Sequence, residues 1–126
     1  MSKQLTVGDI MTSPVVTVLF SDPVIAAVNK MITHDIGAVI VMMGGQPAGI
    51  ITERDILKKI IMEGRDPKKT MCQDIMTKPL VTVESDTPVA RALALMKEKD
   101  IRRLPVVKMG RLVGIVTEKD IIRKII

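Results

Sequence analysis

The chain has almost no aromatic residues. Among 126 residues there is one phenylalanine, Phe20, and neither tryptophan nor tyrosine. A core must therefore be built from Ile, Val, Leu, Ala and Met. No aromatic platform exists on which exposed bases could stack, which argues against single-strand nucleic-acid binding of that kind. Cysteine is equally scarce. Cys72 stands alone, so there is no disulfide framework and no cysteine-based zinc cluster. His34 is the single histidine, placed at a helix end before a strand, and reads as a surface or capping residue. No apolar run reaches ~18 residues, so no membrane span is expected. The opening "MSKQLTVGDIMT" lacks the apolar stretch of a signal peptide. With a lone thiol, a cytoplasmic location is expected.

The formal charge of +5 is spread rather than clustered. Its densest points are Lys58-Lys59, Lys68-Lys69 and Arg102-Arg103. The first two read as solvated surface, and the arginine pair as a candidate anion contact. No recognition-helix motif accompanies this charge, so a nucleic-acid partner is not expected.

What the sequence has in abundance is itself. A shift of 65 positions lays residues 9–61 over 74–126 without a gap. "DIMTSPVVTV" falls on "DIMTKPLVTV", and "GIITERDI" (Gly49–Ile56) on "GIVTEKDI" (Gly114–Ile121). Two copies are too few for a solenoid and suggest two halves about a pseudo-twofold axis.

Each half reads β-α-β-β-α. "PVVTV" and "PLVTV" are short extended segments. Helices follow, with Ser21 or Asp22 expected to cap the first and Pro23 to open it; Asp86 or Thr87 and Pro88 do the same in the second. Val24, Ala27, Val28, Met31 and Ile32 form a stripe at helical spacing, repeated by Val89, Ala92, Leu93 and Met96. "AVIVM" and "LPVVK" pair with the return strands "AGIIT" and "LVGIVT" as hairpins. "ERDILKKIIM" and "EKDIIRKII" close each half as helices. The expected organisation is a first repeat over 1–62, a linker over 63–70 and a second repeat over 71–126. Asp9 and Asp74 pin the leading segments, and Met11 and Met76 are read as packing.

The recurring Thr-x-x-Asp has two readings. As a helix start, Thr52 or Thr117 caps and Asp55 or Asp120 sits in the first turn, favoured by the helix dipole. In the same place, the carboxylate can accept hydrogen bonds from two ribose hydroxyls, and the free N–H groups of the helix start can favour an anion.

The ordered set of "DIMT", the second-strand entrances "DIGAVIV" and "DIRRLPVV", and the terminal Gly-x-x-Thr-x-x-Asp, all occurring twice, resembles a tandem pair of CBS domains, a Bateman module. The resemblance covers nearly the whole chain. It implies a regulatory module and not an enzyme, binding an adenine nucleotide (AMP, ADP or ATP, the last with Mg²⁺) or S-adenosylmethionine in clefts between the repeats. It also implies a homodimer that signals to a regulated protein through a change of conformation or dimer packing.

Carried across by position, the main cleft would use Thr12, Val16, Thr17, Ile36 and Gly37 with Arg102, Arg103, Ile115, Thr117, Lys119 and Asp120. Val16, Ile36 and Ile115 would hold adenine by apolar contact, and the arginines would take phosphate oxygens. The second cleft would use Gly37, Ala38, Thr52, Arg54 and Asp55 with Thr77, Val81, Thr82, Ile101 and Arg102. Lacking an arginine pair of its own, it should bind more weakly. The rival reading is a ligand-free dimerisation scaffold, its apolar face supplied by "IIRKII" and neighbouring helices. No nucleophile, base and orienting group come together, which leaves no expected catalytic site.

Overall fold

The computed structural model describes residues 4–125. Met1–Lys3 of the opening segment lie outside them. So do Ile126 and the side chain of Ile125, on which the apolar C-terminal face in part depends.

The element order is α1 (Val7–Ile10), β1 (Thr17–Leu19), α2 (Val24–His34), β2 (Ala38–Met43), β3 (Gln46–Thr52) and α3 (Glu53–Asp55), which continues as a π-helical segment, Ile56–Ile61. Then follow α4 (Cys72–Ile75), β4 (Val83–Glu84), α5 (Val89–Lys99), β5 (Arg103–Lys108), β6 (Arg111–Thr117) and α6 (Glu118–Ile125). The strands form two three-stranded sheets, ordered β1-β2-β3 and β4-β5-β6. In each, the first pair is parallel and spanned by a helix, and the second is an antiparallel hairpin. Matching bulges fall at Val41/Met42 and Val106/Val107. The fold is α/β, with β-α-β-β-α written twice.

The compact units in space differ from the repeats in sequence. One unit is Val16–Leu80; the other joins the segment ending at Val15 to the stretch beginning at Val81. Each unit thus takes its leading helical turn from the neighbouring repeat. In the Val16–Leu80 unit that turn is α4, whose Cys72 and Ile75 are buried in a core with Val24, Met31, Val39 and Ile51. In the other unit it is α1, whose Val7 and Ile10 join Val89, Met96, Leu104 and Val116. The carboxylates expected to pin these turns do so: Asp9 Oδ2 accepts from the Thr6 N–H at 2.9 Å, and Asp74 Oδ2 from the Met71 N–H at 3.2 Å.

The segment after each leading turn adds one rung to a return strand. Thr77 N–H donates to the Ile50 carbonyl at 2.8 Å and Ile50 N–H to the Thr77 carbonyl at 3.1 Å. Thr12 and Ile115 exchange the same pair at 2.8 and 3.0 Å. This crossing explains the repeated glycine. A Cβ on Gly49 would lie 2.8 Å from Met76 Sδ and 2.9 Å from the Thr77 carbonyl oxygen; on Gly114 it would lie 2.8 Å from Met11 Cγ. Met11 and Met76 therefore pack where only hydrogen can stand on the strand below.

The helix starts differ from expectation. Pro23 and Pro88 are the N-cap residues, so each helix begins one place later than expected, and neither helix has a side-chain cap. The orphan first-turn donors are met by main chain instead. Val24 N–H bonds the Thr70 carbonyl at 2.8 Å, Ile25 N–H the Pro67 carbonyl at 2.9 Å, and Val89 N–H the Leu5 carbonyl at 3.0 Å. Asp22 serves the turn before α2, accepting from Leu19 N–H at 2.9 Å. The apolar stripes are also narrower than expected. Val24, Ala27 and Met31 are buried, but Ile32 is 74% exposed, and in α5 Leu93 is 41% exposed. Asp35 and Asp100 end α2 and α5 in the left-handed region, at φ 51° and 53°, a conformation that a short polar side chain tolerates.

Candidate functional site

Both copies of Thr-x-x-Asp sit where a return strand hands over to a helix. The Thr ends the strand in extended conformation, and the Asp falls in the first helical turn. Asp120 Oδ2 accepts from the Thr117 N–H at 3.1 Å, and the Asp120 N–H returns a bond to Thr117 Oγ1 at 3.1 Å. In the other unit, Asp55 Oδ2 accepts from the Thr52 N–H at 2.9 Å and from its hydroxyl at 3.2 Å, while the Asp55 N–H donates to Thr52 Oγ1 at 3.3 Å. The capping role is therefore met in both copies.

The two junctions part company at the second carboxylate oxygen. Asp55 Oδ1 accepts from the Thr77 hydroxyl at 2.9 Å and faces the Lys59 ammonium at 3.0 Å. The same ammonium donates to the Ile75 carbonyl at the end of α4, at 2.8 Å. Asp55 is only 6% exposed. Asp120 is half-buried, and among the described residues its Oδ1 has neither a hydrogen bond nor an ion pair. Thr12 is exposed as its counterpart Thr77 is, but among the described residues only Thr77 bonds the carboxylate; Lys124, the counterpart of half-buried Lys59, is exposed.

Arg103 stands opposite Thr117 in the β5-β6 register, and the Arg102 carbonyl accepts the Glu118 N–H at 2.9 Å. The structure thus assembles Thr12, Arg102, Arg103, Ile115, Thr117 and Asp120 around one junction, with Lys119 exposed on the first turn of α6. Neither Arg102 nor Arg103 forms an ion pair among the described residues. Around the other junction it assembles Ala38 opposite Thr52, Gly37, whose carbonyl accepts the Glu53 N–H at 3.1 Å, Asp55, Thr77 and the exposed Arg54.

The remaining expected residues fall in the opposite unit from the junction to which each was assigned. Val16, Thr17 and Ile36 belong to the Val16–Leu80 unit, with Val16 and Ile36 packed against its core. Val81, Thr82 and Ile101 belong to the unit of β4–β6, with Val81 and Ile101 packed on that core and Thr82 exposed.

At the start of α6 the Thr117, Glu118 and Asp120 N–H groups go to Asp120, Arg102 and Thr117 in turn. One expectation is corrected: Lys59 is not a solvated surface lysine but a half-buried partner of Asp55. Its spacing to Asp55, i to i+4, is a signal that sequence reading can use, yet Asp120 and Lys124 have the same spacing without pairing.

Comparison with known proteins extends this picture. The family described as "CBS domain" matches residues 7–62 and 72–126. Protein MK0525 of Methanopyrus kandleri is 39% identical over 123 residues, which are 96% of this chain and 63% of that protein, so the chain spans less than two thirds of that relative. A protein with CBS domains from Burkholderia ambifaria superimposes with a TM-score of 0.89 at 34% identity, covering 97% of this chain and 94% of that one. The CBS domain pair of protein MJ0100, solved in complex with 5′-methylthioadenosine and S-adenosyl-L-methionine, gives a TM-score of 0.85 at 32% identity and covers 98% and 97% of the two chains.

Proposed function

The chain belongs to the CBS-domain family and carries a pair of these domains, a regulatory ligand-binding module; we propose that its ligand is an adenine nucleotide, anchored at the Thr117-x-x-Asp120 junction. The observation that carries this reading is the contrast in carboxylates. Among the described residues Asp120 caps with one oxygen and keeps the other unengaged, and the two guanidiniums at the adjoining strand end form no ion pair.

Each element has a chemical part. Asp120 Oδ1 accepts from ribose hydroxyls. The Thr117 hydroxyl accepts the Asp120 N–H and has its own proton to donate to a sugar or phosphate oxygen. Arg103 and Arg102 take phosphate oxygens through their fork of donors. Ile115 supplies apolar surface. Binding then biases the module between conformations, by no more than the difference in its affinity for them.

An S-adenosylmethionine-type ligand is the second reading, favoured by the bound ligands of the MJ0100 domain pair. Against it stand the two arginines, which would repel a sulfonium. Calorimetric titration with AMP, ADP, ATP and S-adenosylmethionine separates these readings. The expected result is saturable heat with a phosphate-bearing ligand, weakened about ten- to a hundredfold in Asp120→Ala, as loss of a charged hydrogen bond implies. Absence of heat with all four, from a folded protein, would reject the reading and favour a ligand-free interaction scaffold.

A further inference from the structure

The two junctions share sequence but not chemical state, and the charged part of the difference is one lysine. In the unit of β1–β3, the Lys59 ammonium sits between two oxygens, 3.0 Å from Asp55 Oδ1 and 2.8 Å from the Ile75 carbonyl. The Thr77 hydroxyl holds the same Oδ1 at 2.9 Å. The Asp55 carboxylate thus accepts from the Thr52 main chain and hydroxyl, the Thr77 hydroxyl and an ammonium. A ribose hydroxyl would have to displace a charge-assisted bond to reach it.

The helix that carries Lys59 is also unusual. From Ile56 to Ile61 it winds as a π-helix, with the Met62 N–H bonding the Leu57 carbonyl five residues back at 2.9 Å. Such winding sets side chains at a different angle from an α-turn. α6, the counterpart in the other unit, is α-helical, and its Lys124 is exposed and makes no ion pair among the described residues.

Resting on the adenosyl-ligand reading above, we propose that Lys59 is a built-in plug: its ammonium occupies the Asp55 carboxylate, closes the Thr52-x-x-Asp55 junction to ribose, and leaves the chain one usable site. Lys59 acts as a specificity-determining residue. Removing its charge creates a second adenosyl site from residues already in place.

The test is the stoichiometry of AMP binding by calorimetry, with S-adenosylmethionine as a second probe, on the full chain. The variants are Lys59→Met, which keeps the aliphatic stem, Lys59→Gln, which guards against misfolding of the first, and Lys59→Arg, which keeps the charge. Each is checked for a cooperative melt by circular dichroism. The expected result is one equivalent per chain for wild type and Lys59→Arg, two for Lys59→Met or Lys59→Gln, and one for Lys59→Met combined with Asp120→Ala. One equivalent in folded Lys59→Met and Lys59→Gln would overturn the plug while leaving the Asp120 reading intact. Two equivalents in wild type would overturn it as well. Heat from Lys59→Met alone, with wild type silent, would support the plug and reject the Asp120 site. Silence in every protein with both probes would overturn both.

Discussion

Replacing Gly49 by alanine tests the packing that the repeated motif protects. The new Cβ would stand 2.8 Å from Met76 Sδ and 2.9 Å from the Thr77 carbonyl oxygen. Neither can retreat freely. Met76 is buried, and the Thr77 carbonyl is held by the Ile50 N–H. Overpacking of this kind costs about 1–3 kcal/mol. The unfolded chain loses freedom when glycine becomes alanine, which offsets about 0.4–1 kcal/mol. The net loss expected is about 1–2 kcal/mol, or a melting temperature lower by roughly 4–8 °C for a chain of this size. Urea unfolding followed by far-ultraviolet circular dichroism reads it, since the chain has neither tryptophan nor tyrosine to report. The second glycine sharpens the test. The three atoms nearest to a Cβ on Gly114 all belong to the Met11 side chain. Met11→Ala should therefore relieve most of the cost of Gly114→Ala, leaving only the Met11 Cβ at 3.1 Å, whereas Met76→Ala should relieve Gly49→Ala less, because the Thr77 carbonyl remains at 2.9 Å. A Gly49→Ala protein as stable as wild type would refute the steric account, as would a Met11→Ala background in which the cost of Gly114→Ala is unchanged.

Asp55→Ala should cost about 2–3 kcal/mol in urea unfolding, because it strands the Thr52 and Thr77 donors and the Lys59 ammonium. Asp120→Ala should cost about 1 kcal/mol, the value of a helix cap, and equal losses would contradict the difference between the junctions. Burial, with Asp22 nearby, pushes the Cys72 thiol from 9.0 up to about 11. The folded state then holds its proton when the unfolded state has lost it, so stability from this group should fall as pH rises from about 9 to 11 and be flat below. At pH 8, a disulfide reagent should modify Cys72 only upon unfolding, and rapid reaction with native protein would contradict the burial.

Much of the fold was legible because the 65-residue shift reported every element twice. The capping by threonine and aspartate after each return strand follows from the repeated Thr-x-x-Asp. What remained hidden depended on contacts distant in sequence. Ser21 and Asp22 look like caps, but main-chain carbonyls of Thr70 and Pro67 reach the start of α2 first. Asp55-Lys59 and Asp120-Lys124 are identical patterns, and only the π-wound helix pairs. The joining of each leading turn to the neighbouring repeat's strands left no periodic trace, because α1 and α4 are single turns.

The unequal assembly of the two units also orders their completion during synthesis. All parts of the Val16–Leu80 unit are contiguous, so it can close as soon as its last residue clears the ribosome. The other unit cannot. Its first-made piece, with Val7 and Ile10, must stay unburied while a whole neighbouring unit is translated, until Leu104, Val116 and Ile121 arrive to receive it. For that interval the nascent chain carries a short apolar turn whose core is not yet made.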